Sequence, residues 1–138
     1  MGKRVIDGLT LGSMSLFEQV SHVAPYDCLI TDKSALFVVK KGMLHKSLGK
    51  DGSSIKRLKE KLGRNVWIVE HSANIEVFIK GLMSNIQITS VNEQDGIVYV
   101  TVPMRYRGLA IGKDGEIIKR NRDAVKRLYN KDLKLITK

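Results

Sequence analysis

The sequence predicts an α+β fold: two tandem copies of one small α/β sandwich, each a three-stranded sheet with helices packed on one face. Three observations predict it. The stretch Leu48-Gly49-Lys50-Asp51-Gly52-Ser53-Ser54-Ile55-Lys56-Arg57 returns as Ile111-Gly112-Lys113-Asp114-Gly115-Glu116-Ile117-Ile118-Lys119-Arg120, 63 positions later in a chain of 138 residues. The order of helical and extended patterns around the first copy recurs around the second. The basic charge gathers around both copies. A lone Gly-x-x-Gly says little, because any tight turn between helices can use two glycines. The same four residues, twice, in the same apolar-to-basic setting, are a strong signal.

Residues 1–7 read as a short tail, residues 8–71 as the first unit and 72–138 as the second. Leu16, Phe17, Val20 and Val23 recur at helical spacing, and Pro25 closes that helix by restricting its neighbours. Cys28 to Ile30 is a short strand, Asp32 to Ser34 a turn, and Ala35 to Val39 a continuous apolar run rich in β-formers, as expected of an inner strand. A short helix through Met43 and Leu44 reaches Leu48 and the turn. The helix after it carries Ile55, Leu58 and Leu62 on one face and Lys56, Arg57, Lys59 and Lys61 elsewhere, and Gly63 ends it. Val66 to Val69 is the last strand.

The second unit follows the same order. Ile75, Phe78, Ile79 and Leu82 form a helical stripe, with Asn74 as its N-cap. A strand is expected at Ile86–Thr89, a hairpin connection at Asn92–Gly96, and a second strand from Ile97 to Val102, stopped by Pro103. Residues 104–111 make the short helix, Glu116 to Tyr129 a longer one, and Leu133 to Ile136 the closing strand. Only residues 71–74 separate the units, a linker short enough to hold them in a fixed relation. Asn121 stands where Leu58 stands in the first unit, so equal stability of the two is not expected.

The chain has 24 Lys and Arg against 14 Asp and Glu, a net charge of +10. Residues 40–64 hold nine basic and two acidic residues, and residues 105–127 hold eight and three. The remainder is slightly acidic, so the excess lies wholly around the two turns. Such localisation points to a polyanion, most directly a nucleic acid. No segment reaches transmembrane length, no apolar signal-peptide core opens the chain, and no basic amphipathic helix serves a membrane surface. A single cysteine, Cys28, allows no internal disulfide and suits a reducing cytoplasm, with burial as its expected role. His22, His45 and His71 lack metal-ligand spacing, and no cofactor is expected.

The turn itself suggests a chemistry. Two glycines remove the Cβ atoms, so a ligand can lie against the backbone. The helix that follows presents unpaired N–H groups and a partial positive charge to the turn. A phosphate arriving there meets donors, Lys50 or Lys113 on the rim, and Lys56-Arg57 or Lys119-Arg120 just behind. Asp51 and Asp114 place a carboxylate in each turn, which repels phosphate unless it points away or caps the next helix. The plainer reading of each copy is a helical hairpin with a solvated basic face. Tyr106 and Arg107 precede the second turn with no aromatic counterpart in the first, and Tyr106 is open to base stacking or to packing.

A short helix ending in an aliphatic residue and Gly, then Lys-x-Gly and a second helix, resembles the signature loop of the KH domain. KH loops clamp the backbone of about four nucleotides. Helix-strand-strand before the loop and one strand after it is similar to the type II KH order of prokaryotes. Two such units in tandem, with Leu16-Phe17-Glu18 in the first helix, Asp27-Cys28 opening the first strand and Gly108-Leu109-Ala110-Ile111-Gly112-Lys113 in the second unit, resemble the archaeal NusA-like family over residues 10–137. The resemblance implies an RNA-binding transcription termination or elongation factor, with single-stranded RNA as partner and RNA polymerase as a further one. Bacterial relatives of that family also carry polymerase-binding and OB-type domains, for which this chain has no room. Polymerase contact would then use the least basic faces, those of the helices Leu16–Val23 and Ile75–Met83. By position, Gly49, Lys50, Asp51 and Gly52 would be the first clamp, and Gly112, Lys113, Asp114 and Gly115 the second. Leu48 and Ile55, or Ile111 and Ile118, would floor the grooves in which bases lie, while also serving the core.

An enzyme is not expected. Gly108 to Asp114 resembles a P-loop only superficially, since a P-loop needs a longer spacing between its glycines and Ser or Thr after the lysine. A monomer is expected. A KH-type ribosome-assembly or RNA-processing factor and a basic adaptor for an acidic protein stay open, as does single-stranded DNA in place of RNA.

Overall fold

The computed structural model describes residues 8–138, so the expected tail over 1–7 lies outside the described residues. The chain divides between Asn74 and Ile75 into two compact units.

The first unit runs α1 (Gly8–Ser21), β1 (Asp27–Ile30), β2 (Ser34–Val39), α2 (Leu44–Leu48), α3 (Ser53–Leu62) and β3 (Asn65–Glu70). β2 is the central strand, antiparallel to β1 and parallel to β3. Every residue of Ser34–Val39 is buried, in keeping with its unbroken apolar run. One face of the sheet receives the helices. Phe17 of α1 stacks on Phe37 of β2 with ring centroids 4.5 Å apart, and Val20, Leu58, Ala35, Val39, Val66 and Ile68 join them. Cys28 is buried in the same cluster. Two polar side chains fix the ends of this scaffold. Arg64 donates from Nε to the Thr31 carbonyl at 2.7 Å and from Nη1 to Leu62 at 3.1 Å, tying the β1–β2 turn to the end of α3. Glu70, at the end of β3, accepts the N–H of Leu44 at 3.0 Å and so anchors the first residue of α2.

The second unit runs α4 (Ile75–Leu82), β4 (Ser90–Gln94), β5 (Ile97–Val102), α5 (Arg107–Ile111), α6 (Glu116–Tyr129) and β6 (Asp132–Thr137). β5 is central, antiparallel to β4 and parallel to β6. Its Val98, Val100 and Val102 are buried and alternate with half-buried residues, the mark of a sheet covered on one face. Phe78 of α4 meets Tyr129 of α6 with centroids 5.0 Å apart. Each unit thus carries the type II KH order of elements.

One expected element moves. The strand placed at Ile86–Thr89 lies instead at Ser90–Gln94, and the hairpin connection shrinks to Asp95-Gly96. The turn sets this register. Asp95 (φ 53°) and Gly96 (φ 76°) both adopt positive φ, as a two-residue turn matched to the strand twist requires. Gln94 therefore pairs with Ile97, and the ladder runs back through Glu93 and Asn92. β4 is an edge strand whose residues are half-buried or exposed, so it carries no apolar alternation. Ile86, outside any strand, is nonetheless buried.

Candidate nucleic-acid interface

In each unit two helices meet at the Gly-Lys-Asp-Gly loop, and the loops take the same backbone path. The first glycine has φ 74° and ψ 172° in unit one (Gly49) and 77° and 172° in unit two (Gly112). The aspartates follow at φ 55°, ψ 30° (Asp51) and φ 56°, ψ 25° (Asp114). The second glycines lie at φ 72°, ψ 21° (Gly52) and φ 73°, ψ 15° (Gly115). Three of the four positions are thus left-handed or beyond. This explains the aspartate: after glycine, Asp and Asn are the residues that tolerate that conformation best. The side chain is there for the turn.

The two glycines of a loop do different things. A Cβ on Gly49 would stand 2.7 Å from both Ser53 Oγ and Ser54 Oγ, and one on Gly112 would stand 2.7 Å from Ile117 Cγ1. The first glycine is therefore pressed against the next helix and is structural. A Cβ on Gly52 would meet nothing within 4 Å, and one on Gly115 only Ile118 Cγ2 at 4.0 Å. The second glycine leaves open backbone where a ligand can come close.

Around this frame the structure sorts the expected residues. Lys50, Asp51, Lys56 and Arg57 are exposed in the first unit, and Lys113, Asp114 and Lys119 in the second. Leu48 and Ile55 are half-buried and pack against the core, as Ile111 is half-buried and Ile118 buried. They serve the core and present only an edge outward. Arg120 departs from the rest. It is 6% exposed, with Nε and Nη2 donating to Asn121 Oδ1 at 3.1 and 3.0 Å. Burial pushes its pKa down to about 10, against the opposing pull of Glu116, so it keeps its proton at neutral pH but offers no guanidinium to solvent. Asn121 itself is fully buried in the place of Leu58, and its Nδ2 has no hydrogen-bond partner among the described residues.

The structure adds residues that spacing did not mark. A cleft of about 450 Å³ beside the first loop is lined by His45, Lys46, Gly49, Lys50 and Asp51. His45 and Lys46 are the exposed residues of α2, and Ser47 after them turns inward and donates from Oγ to the Leu44 carbonyl at 2.7 Å. In the second unit Arg105 lies over the Tyr106 ring at 4.8 Å, so that ring is half-buried and already stacked by a cation. Among the described residues no cluster of His, Cys, Asp and Glu could hold a metal ion, and no helix is long and apolar enough to cross a membrane.

No family model matches the chain. Curated relatives do. The chain is 32% identical over 128 residues to the "Probable transcription termination protein NusA" of Methanococcus vannielii, covering 89% of this chain and 74% of that protein. It is 29% identical over 125 residues to the protein of the same name from Halococcus morrhuae, covering 88% and 90%. The protein of that name from Thermoplasma acidophilum is 28% identical over 135 residues, covering 94% and 93%. Among solved structures, the crystal structure of a protein designated APE1850 superposes with a TM-score of 0.76 at 30% identity, covering 96% of this chain and all of that one.

Proposed function

Because the chain belongs to the archaeal NusA-like family, we propose that it binds single-stranded RNA through the two Gly-Lys-Asp-Gly loops and acts on the transcript during termination or elongation. The observation that carries this reading is the loop pair: two loops of one backbone path, each with a lysine on the rim and open backbone at its second glycine. A phosphate needs both, a cation nearby and a backbone it can reach. The excess positive charge of the chain gathers around the same loops.

The test is the double variant Lys50→Asp/Lys113→Asp. Both side chains are exposed, so the fold and melting should stay near wild type while RNA affinity is lost. Unchanged affinity in the folded double variant would overturn the reading. If about four to six phosphates are neutralised, the log–log salt slope for a single strand should be roughly −3 to −4. A purified transcription system from the same source tests the second half. The protein should alter pause lifetime or termination efficiency, and the double variant should not. A protein that alters neither, but sediments with ribosomal particles, is a ribosome-assembly factor instead.

A further inference from the structure

We infer that the two loops are unequal on RNA: the first is the phosphate-neutralising clamp, and Glu116, with Asn121 holding Arg120 inside, keeps the second weaker. This rests on the RNA-binding reading above. The backbones are alike, so the difference lies in side chains at matching positions. Directly after the second glycine the first unit has Ser53, exposed and uncharged, and the second has Glu116 in the first turn of α6. A carboxylate there sits where the helix end would draw a phosphate, and repels it. Eight positions after the first glycine stand Arg57, exposed, and Arg120, buried on Asn121. Lys50, Lys56 and Arg57 thus outweigh Asp51 at the surface of the first loop, whereas at the second the cations open to solvent, Lys113 and Lys119, stand against Asp114 and Glu116, and the Arg120 charge is drawn inside.

The approach to each loop repeats the contrast. Lys46, in the cleft beside Gly49, is matched in the second unit by Leu109, which is 50% exposed, and Lys41 by Met104. The second unit does carry Arg105 and Arg107, but at and before the first residue of α5, a turn or more from the loop, with Arg105 engaged on Tyr106. RNA would meet a basic cleft at the first loop and a surface of mixed charge, partly apolar, at the second.

Affinity of the full chain for a labelled, mixed-sequence oligoribonucleotide, measured across a salt series, decides it. Lys50→Ala should lose about tenfold, as for a charge-assisted phosphate contact, and flatten the salt slope by about 0.7. Lys113→Ala should lose about twofold or less on the same scale. Glu116→Ser, which imports the first unit's residue, should tighten binding by about threefold or more and steepen the slope. Should that variant melt early, Glu116→Gln removes the charge while keeping the side chain's length. Equal losses from the two lysine variants, or no gain from either folded Glu116 variant, overturn the inference while leaving RNA binding intact. A wild-type chain that binds no RNA overturns both readings.

Discussion

Replacing Gly49 with alanine puts a methyl group 2.7 Å from two serine hydroxyls and 3.2 Å from the Ser54 backbone nitrogen, in a conformation of φ 74° and ψ 172° that is almost reserved to glycine. The backbone strain alone costs about 1–3 kcal/mol, and moving α3 away from the methyl adds about 1 kcal/mol or more. Gly52→Ala is the matched control. Its φ is equally positive, but its Cβ meets nothing within 4 Å, so it carries only the left-handed cost of about 1–2 kcal/mol. For a unit of this size each kcal/mol moves the melting midpoint by about 4–8 °C. Gly49→Ala should therefore lower the first unit's midpoint by more than about 10 °C, and Gly52→Ala by clearly less. The chain's single tryptophan, Trp67, sits in β3, so its fluorescence follows the first unit. RNA affinity should show the reverse order once both are measured below their midpoints, because the Gly52 methyl projects into the open face. If Gly49→Ala melts with wild type, or melts no earlier than Gly52→Ala, the division of labour between the two glycines is wrong.

Two further outcomes follow from the polar groups of the scaffold. Asn121→Leu, which installs the first unit's residue, should destabilise the second unit by about 1–3 kcal/mol, because it removes an acceptor that takes two hydrogen bonds from a buried guanidinium. Adding Arg120→Met should recover most of that loss in urea unfolding, since the depressed pKa of Arg120 marks its buried charge as a cost at neutral pH, and a double variant no better than the single one would refute this. Glu70→Ala removes the carboxylate that accepts the Leu44 N–H, and should cost the first unit about 1–2 kcal/mol and raise hydrogen exchange in α2 and the first loop. Unchanged exchange there would show that α2 holds without its anchor.

Much of this was legible in the residues. The helical stripe of α4 and the apolar run of β2 bury nearly all the side chains that their patterns marked, and the duplicated loop takes one backbone path in both units. What escaped has a common cause. β4 is an exposed edge strand, so its place was set by a two-residue turn and not by apolar alternation. Arg120 and Arg57 occupy matching positions and differ only through the residue that follows: Leu58 enters the core and leaves Arg57 outside, whereas Asn121 enters it with an oxygen that takes Arg120 along. Periodicity marks which positions face inward. It does not register a hydrogen bond between neighbouring side chains. His45 and Lys46 were hidden for a similar reason, since a helix of five residues is too short to declare its faces.

The aspartates of the two loops have one more consequence, for the chemical ageing of the chain. An aspartate followed by glycine is the pair whose side-chain carboxyl carbon is most open to attack by the next amide nitrogen. The product is a cyclic imide, and its reopening routes the main chain through the side-chain carboxyl. In the folded loops that nitrogen is already donating to the first glycine's carbonyl, Gly52 to Gly49 at 3.3 Å and Gly115 to Gly112 at 3.2 Å. Folding thus withholds the nucleophile at both loop Asp-Gly pairs, two of the four in the chain. A loop that had rearranged would carry an extra methylene in its main chain and could no longer close that hydrogen bond, so shelf life and grip on a ligand are lost at the same residue. Peptide mapping of protein stored warm, folded against denatured, reads the difference directly.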